Sequence, residues 1–114
     1  MARFDILENN DGVGYLLDVQ SDLLSGLNTR VAVPLLPKSS APFPAQGLNP
    51  VFIVEGQELV MTTQYMAAVP EGELRFGAGS LAEQQDEISS ALDMLFWAFD
   101  RVVVSCHLTP RSRP

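Results

Sequence analysis

Helical periodicity occurs once in this chain, at its end. Ile88, Leu92, Leu95, Phe96 and Phe99 recur at helical spacing and form one apolar stripe. Just ahead of it, Ser80-Leu81-Ala82-Glu83 fits the S-x-x-E capping box, in which two otherwise unpaired backbone donors are satisfied reciprocally. The spacing predicts a helix over 81–99. Everything before it has to build its share of the core from strands. The chain has the means: at 114 residues it is one domain, 46% hydrophobic, with a charged fraction of 18% that lies below the usual quarter.

The strands announce themselves by alternation. Phe4 and Ile6, then Tyr15, Leu17 and Val19, repeat at period two on either side of NNDGVG, whose Asn, Asp and Gly suit a tight turn. A third strand is expected over 29–35, ended by Pro34 and Pro37. PKSSAPFPAQG (37–47) reads as a loop. NPVFIVEGQELVMTT (49–63) reads as a hairpin whose two β-branched, apolar arms flank Glu55-Gly56. YMAAVPEGELRFGAG (65–79) is ambiguous: a short strand or turn around 67–69, then a loop closed by Gly77 and Gly79. The expected fold class is mainly β (α+β), an antiparallel β-rich domain sealed by one C-terminal helix.

Charge limits the choice of partner. The formal charge is −7, and its distribution is uneven. Residues 1–100 carry all 14 acids against Arg3, Arg30, Lys38 and Arg75, a balance of −10; Arg101, Arg111 and Arg113 follow. An acidic body gives poor footing on a phosphate backbone, so direct nucleic-acid binding is disfavoured. The N-terminus does not read as a signal peptide and no stretch is long and apolar enough for a membrane span, so the expectation is a soluble, cytoplasmic protein.

The chemistry of the side chains does not suggest an enzyme. The single cysteine, Cys106, and the single histidine, His107, are adjacent in the tail, where neighbouring residues of an extended segment point to opposite faces. Two incidental tail residues are the better account. One cysteine makes neither an internal disulfide nor a cysteine zinc site. Glu83, Asp86 and Glu87 lie in the first helical turns, where negative charge favours the helix dipole, so a structural role outweighs a metal site. No metal or cofactor is expected.

Trp97, the only tryptophan, is the residue that asks for a role. In an α-helix it would share a face with Asp93, four residues before it. An ionised Asp93 prefers water, which would leave the indole at least partly exposed as a binding anchor. Core and binding roles both remain open on the pattern alone.

Several stretches together resemble one family. YLLDVQSDLL (15–24), TRVAVPL (29–35), LNPVFIVEGQELVMTTQYMAAVP (48–70) and SSALDMLFWAF (89–99) are similar to the CcdB family of addiction toxins, which poison DNA gyrase. The resemblance runs over roughly 4–99. It implies a small SH3-like antiparallel β-barrel closed by the C-terminal helix, a toxin domain over 1–100 and an extension over 101–114. It implies a homodimer and no enzymatic activity. The dimer binds the gyrase A subunit and holds the cleaved gyrase–DNA complex. A protein antitoxin, whose disordered C-terminal arm folds on binding, neutralises it. Trp97 matches the family aromatic that stacks on a gyrase arginine, a contact worth about 1–2 kcal/mol when desolvated. The remaining contact positions fall on Leu23, Leu24, Asp93, Phe96, Ala98 and Phe99.

Three departures from the family bear on activity. Ala98 stands where the family usually has Gly, and Asp93 where Asn is common. Residues 100–114 follow the position at which the family ends, and their composition looks like read-through from a lost stop or a shifted frame. Reduced or absent toxicity is therefore expected. Two alternatives stand beside gyrase poisoning. One is a ribonuclease toxin on the same barrel, as in MazF/Kid-type relatives, for which Thr29, Arg30 and Arg75 are the only plausible body residues. The other is a non-toxic, antitoxin-binding relative disabled by the extension.

Overall fold

The computed structural model describes residues 2–10 and 12–98, without the side chains of Trp97 and Ala98. The chain is mainly β, an antiparallel sheet curled into a half-barrel with one C-terminal helix against it. Its strands are β1 (Asp5–Glu8), β2 (Tyr15–Asp18), β3 (Thr29–Pro37), β4 (Val51–Val54), β5 (Gln57–Met61), β6 (Ala67–Pro70) and β7 (Phe76–Ser80). The sheet order is β4-β5-β3-β2-β1-β7, with β6 paired to β3 off this path.

The alternation expected around NNDGVG is present. Ile6 pairs with Leu17, and both point into the core with Val19, Val33, Leu35, Leu59 and Met61. The hairpin over 49–63 also forms, with Val54 opposite Gln57. Glu55 and Gly56 take φ of 52° and 81°, the pair of positive values that a twisted two-residue hairpin turn requires.

The third strand extends two residues beyond the expected 29–35. It runs nine residues, to Pro37, and serves two partners on one edge. β6 covers residues 29–32 and β5 covers 35–37. Pro34 sits at the changeover. A residue in an antiparallel strand aims its N–H and C=O at the same edge. The Pro34 carbonyl accepts from Thr62 N–H at 3.0 Å and Thr62 Oγ1 at 2.8 Å, so the missing proline donor falls where no ladder bond is needed.

Residues 76–80, read as part of a glycine-closed loop, form β7 against β1. FGAGS has little intrinsic strand preference; pairing with β1 supplies what propensity does not, and the register shifts between Asp5 and Leu7.

The expected helix over 81–99 is three pieces. A 3-10 turn (Ala82–Gln84) leads into α1 (Gln85–Asp93), which opens into a π turn (Met94–Ala98). Position 99 lies outside the described residues. The capping box is not formed: Ser80 ends β7, and its Oγ accepts from Ala82 N–H at 3.1 Å, two residues on. The tight first turn takes the N–H groups of Gln84 and Gln85, bonded to the Leu81 and Ala82 carbonyls. Ile88 and Ala91 are buried, and Leu92 packs against the same core. Phe96, expected in the apolar stripe, is instead 54% exposed. From Met94 on the backbone is π-helical, so α-helical spacing no longer decides which residues share a face there. Among the described residues no helix is long and apolar enough to cross a membrane.

Candidate partner-docking surface

The segment DVQSDLL leaves β2 and builds one half of the candidate surface. Leu17 and Val19 face the core, so Asp18 and Gln20 point to the opposite side of the sheet. That side is sealed as well. Asp18 is fully buried and meets Arg30 on β3, the diagonal neighbour across the ladder. Arg30 Nε donates to Asp18 Oδ2 at 2.9 Å, and Nη2 lies 2.7 Å from the same oxygen. Nη2 is also 3.9 Å from Asp22 Oδ1, without an aligned hydrogen bond to either carboxylate. Burial pushes the Asp18 carboxyl above its ordinary value; the Arg30 hydrogen bond and the Gln20 backbone N–H pull it part of the way back.

On this base stands a 3-10 turn, Asp22–Leu24. Ser21 caps it, its Oγ accepting from Leu23 N–H at 3.2 Å. Asp22 Oδ1 accepts from the Arg3 backbone N–H at 2.9 Å, tying the turn to the N-terminal segment. Gln20 spans the underside, its Oε1 accepting from Val31 N–H and its Nε2 donating to the Leu24 carbonyl. The two leucines are turned outward: Leu23 is 94% exposed and Leu24 49%. A polar floor with apolar tops is the reverse of a core arrangement, which makes this turn a candidate for partner docking.

The helix end supplies the other half. Asp93 closes α1 and is exposed, as is Phe96 in the π turn. Met94 lies over Gly47 of the 38–50 loop, which anchors the turn to the body. The backbone of Trp97 and Ala98 belongs to the same turn; their side chains, Phe99, and the expected extension over 101–114 lie outside the described residues. The face shared by Asp93 and Trp97 was argued from α-helical spacing, and the backbone between them is π-helical from Met94. The leucine turn and the helix end stand on separate elements, and no hydrogen bond or ion pair joins them among the described residues.

The residues weighed for ribonuclease chemistry do not assemble into a cationic site. Arg30 is fully buried in its ion pair, whereas Arg75 is exposed and Thr29 half-buried on the sheet. Cys106 and His107 lie outside the described residues. No group of three or more His, Cys, Asp or Glu is placed to hold a metal ion among the described residues.

In the sequence reading Asp18 and Gln20 had no role, and Arg30 only one in the ribonuclease alternative; their joint place under the leucine turn was missed. The signal was available in part: strict alternation places Asp18 and Gln20 on one face, and the strand that pairs with it carries an arginine.

A search of curated proteins returns no match for the chain. A comparison with protein families matches residues 3–98 to the family described as CcdB protein, nearly the whole of the described structure. The chain therefore belongs to the CcdB family, the toxin family that its sequence resembles.

Proposed function

We propose that this protein is the toxin of a type II toxin–antitoxin module that binds the gyrase A subunit and traps the cleaved gyrase–DNA complex. It acts by occupying a surface and is not an enzyme. Leu23, Leu24, Asp93, Phe96, Trp97, Ala98 and Phe99 make the contact, with the Trp97 indole stacking on a gyrase arginine. The active form is a homodimer of SH3-like barrels working in the cytoplasm, so that two anchors meet a two-fold partner. A protein antitoxin with a disordered C-terminal arm competes for the same surface. Residues 1–100 form the toxin domain and 101–114 an extension that lowers its toxicity.

The observation that carries this reading is the exposure of Leu23, 94%, on a turn whose floor is hydrogen-bonded and buried. Burying such a leucine side chain in a partner is worth about 1.5–3 kcal/mol. The burial of Arg30 weighs against the ribonuclease alternative, because its guanidinium is committed to Asp18.

The test is a gyrase cleavage assay with the purified protein and supercoiled DNA. Accumulation of linear DNA after denaturation is expected, with Leu23→Ser lowering it. Cleavage of single-stranded RNA without any gyrase-dependent DNA breaks would reject the reading. Growth arrest on induction, compared between the full chain and one stopped after Phe99, separates toxin from extension: equal, strong killing by both would reject the proposed effect of the extension.

A further inference from the structure

A leucine that stands 94% exposed is not held out by its own hydration; something beneath must fix the backbone that carries it. Gln20, itself only 6% exposed, is placed to do this. Its Oε1 accepts from Val31 N–H of β3 at 3.1 Å, and its Nε2 donates to the Leu24 carbonyl at 3.1 Å. Its backbone N–H donates to Asp18 Oδ1 at 3.0 Å, so the residue is locked to the Asp18–Arg30 pair as well. One side chain thus ties the last residue of the leucine turn to the central strand of the sheet. The task needs an acceptor and a donor on the same planar group, which a carboxamide provides and a carboxylate does not.

We propose that Gln20 is a positioning residue for partner docking: its carboxamide sets the outward pose of Leu23 and Leu24 without touching the partner. This rests on the reading of the leucine turn as part of the gyrase-binding surface. The closest substitution is Gln20→Glu. It keeps the acceptor for Val31 N–H and replaces the donor to the Leu24 carbonyl by an oxygen that repels it.

The experiment measures binding of the full chain to purified gyrase A subunit by calorimetry, for the unaltered protein, Gln20→Glu, Leu23→Ala and the double variant. Gln20→Glu is expected to weaken binding about tenfold, and to add little once Leu23 is already alanine, because the two changes act through one contact. In the free protein, amide hydrogen exchange should quicken over 21–25 while Leu17, Val33 and Leu59 keep their protection. If Gln20→Glu does not fold, Gln20→Asn, which keeps the amide and shortens its reach, is held to the same criteria. Unchanged affinity in the Gln20 variant, beside a clear loss in Leu23→Ala, overturns the positioning role alone. A loss that persists in full on top of Leu23→Ala also overturns it, since it would mark general damage. If Leu23→Ala binds as tightly as the unaltered chain, the surface itself is wrongly assigned and this inference falls with it; if the unaltered chain fails to bind, the gyrase reading of the full chain fails and takes the inference with it.

Discussion

Asp18 and Arg30 meet across β2 and β3, carboxylate to guanidinium at 2.7 Å, with both side chains closed off from solvent. A buried pair of this kind is weak evidence for stability, because two desolvation costs stand against one attraction. It is strong evidence for an uneven response to mutation. Removing one partner leaves the other charged and alone. Arg30→Met is expected to cost about 3–5 kcal/mol, while Arg30→Met combined with Asp18→Leu should cost far less than the two singles together. Urea unfolding of the four proteins in the cycle is the check. Additive losses would mean that the pair is not coupled.

The same pair sets a pH signature. Burial, aided by the nearby Asp5 charge, raises the Asp18 carboxyl above its ordinary 3.8, against the pull of Arg30 and the Gln20 N–H. Folded Asp18 therefore holds its proton more tightly than unfolded Asp18. The stability it contributes is fully present below the unfolded pKa and is lost as pH rises through the folded one. Arg30→Met removes one of the groups that hold the carboxyl down, so the folded value climbs and the loss grows. The variant should stand nearest the unaltered protein at about pH 4 and fall furthest behind at about pH 7. Stability curves over that interval that run parallel would refute the assignment.

What the sequence made legible follows from where the two faces of each strand lie. Phe4, Ile6, Leu17 and Val19 alternate because one side meets the hydrophobic core, and that pattern survives in any context. Glu55-Gly56 was readable because a two-residue turn restricts φ by itself. β7 was not: Gly77 and Gly79 say turn locally, and only the edge of β1 makes 76–80 a strand. The π turn was equally hidden, since apolar spacing at 92, 95, 96 and 99 is consistent with an unbroken α-helix. For the site, Leu23 and Leu24 entered through resemblance alone. Nothing in their own chemistry says outward. Their exposure depends on the local Ser21 cap and on Asp22 and Gln20, whose partners Arg3 and Val31 lie far away in the chain.

Phe96 offers a direct test of which face of the helix end is used. The ring is 54% exposed, so its removal uncovers little core. Phe96→Ala should change folding stability by less than about 1 kcal/mol. If the ring docks on gyrase A, the affinity should fall by more than about tenfold. Thermal unfolding and calorimetric titration of the same preparation give both numbers. A large loss of stability with unaltered affinity would return Phe96 to the core role that the stripe first suggested.

Two glycines with similar backbones should respond differently to the same substitution. Gly14 has φ of +80° and Gly47 +83°, both in the region that disfavours a Cβ. Alanine at 47 would bring its Cβ to 2.7 Å from Met94 Cε, the free end of a side chain that can rotate away. The expected cost is about 1–2 kcal/mol, mostly the left-handed backbone. At 14 the obstacle is the Leu35 carbonyl oxygen, with the Leu35 carbonyl carbon and Leu36 Cα just behind it. That stretch of β3 is held in register by Tyr15 opposite Leu35 and cannot retreat without opening the β2–β3 ladder. Overpacking then adds to the backbone strain, for a total of about 3–5 kcal/mol. Denaturant midpoints of Gly14→Ala and Gly47→Ala should fall in that order of severity. The reverse order would show that the 38–50 loop, and with it the seat of Met94 at the helix end, is held more rigidly than the central sheet.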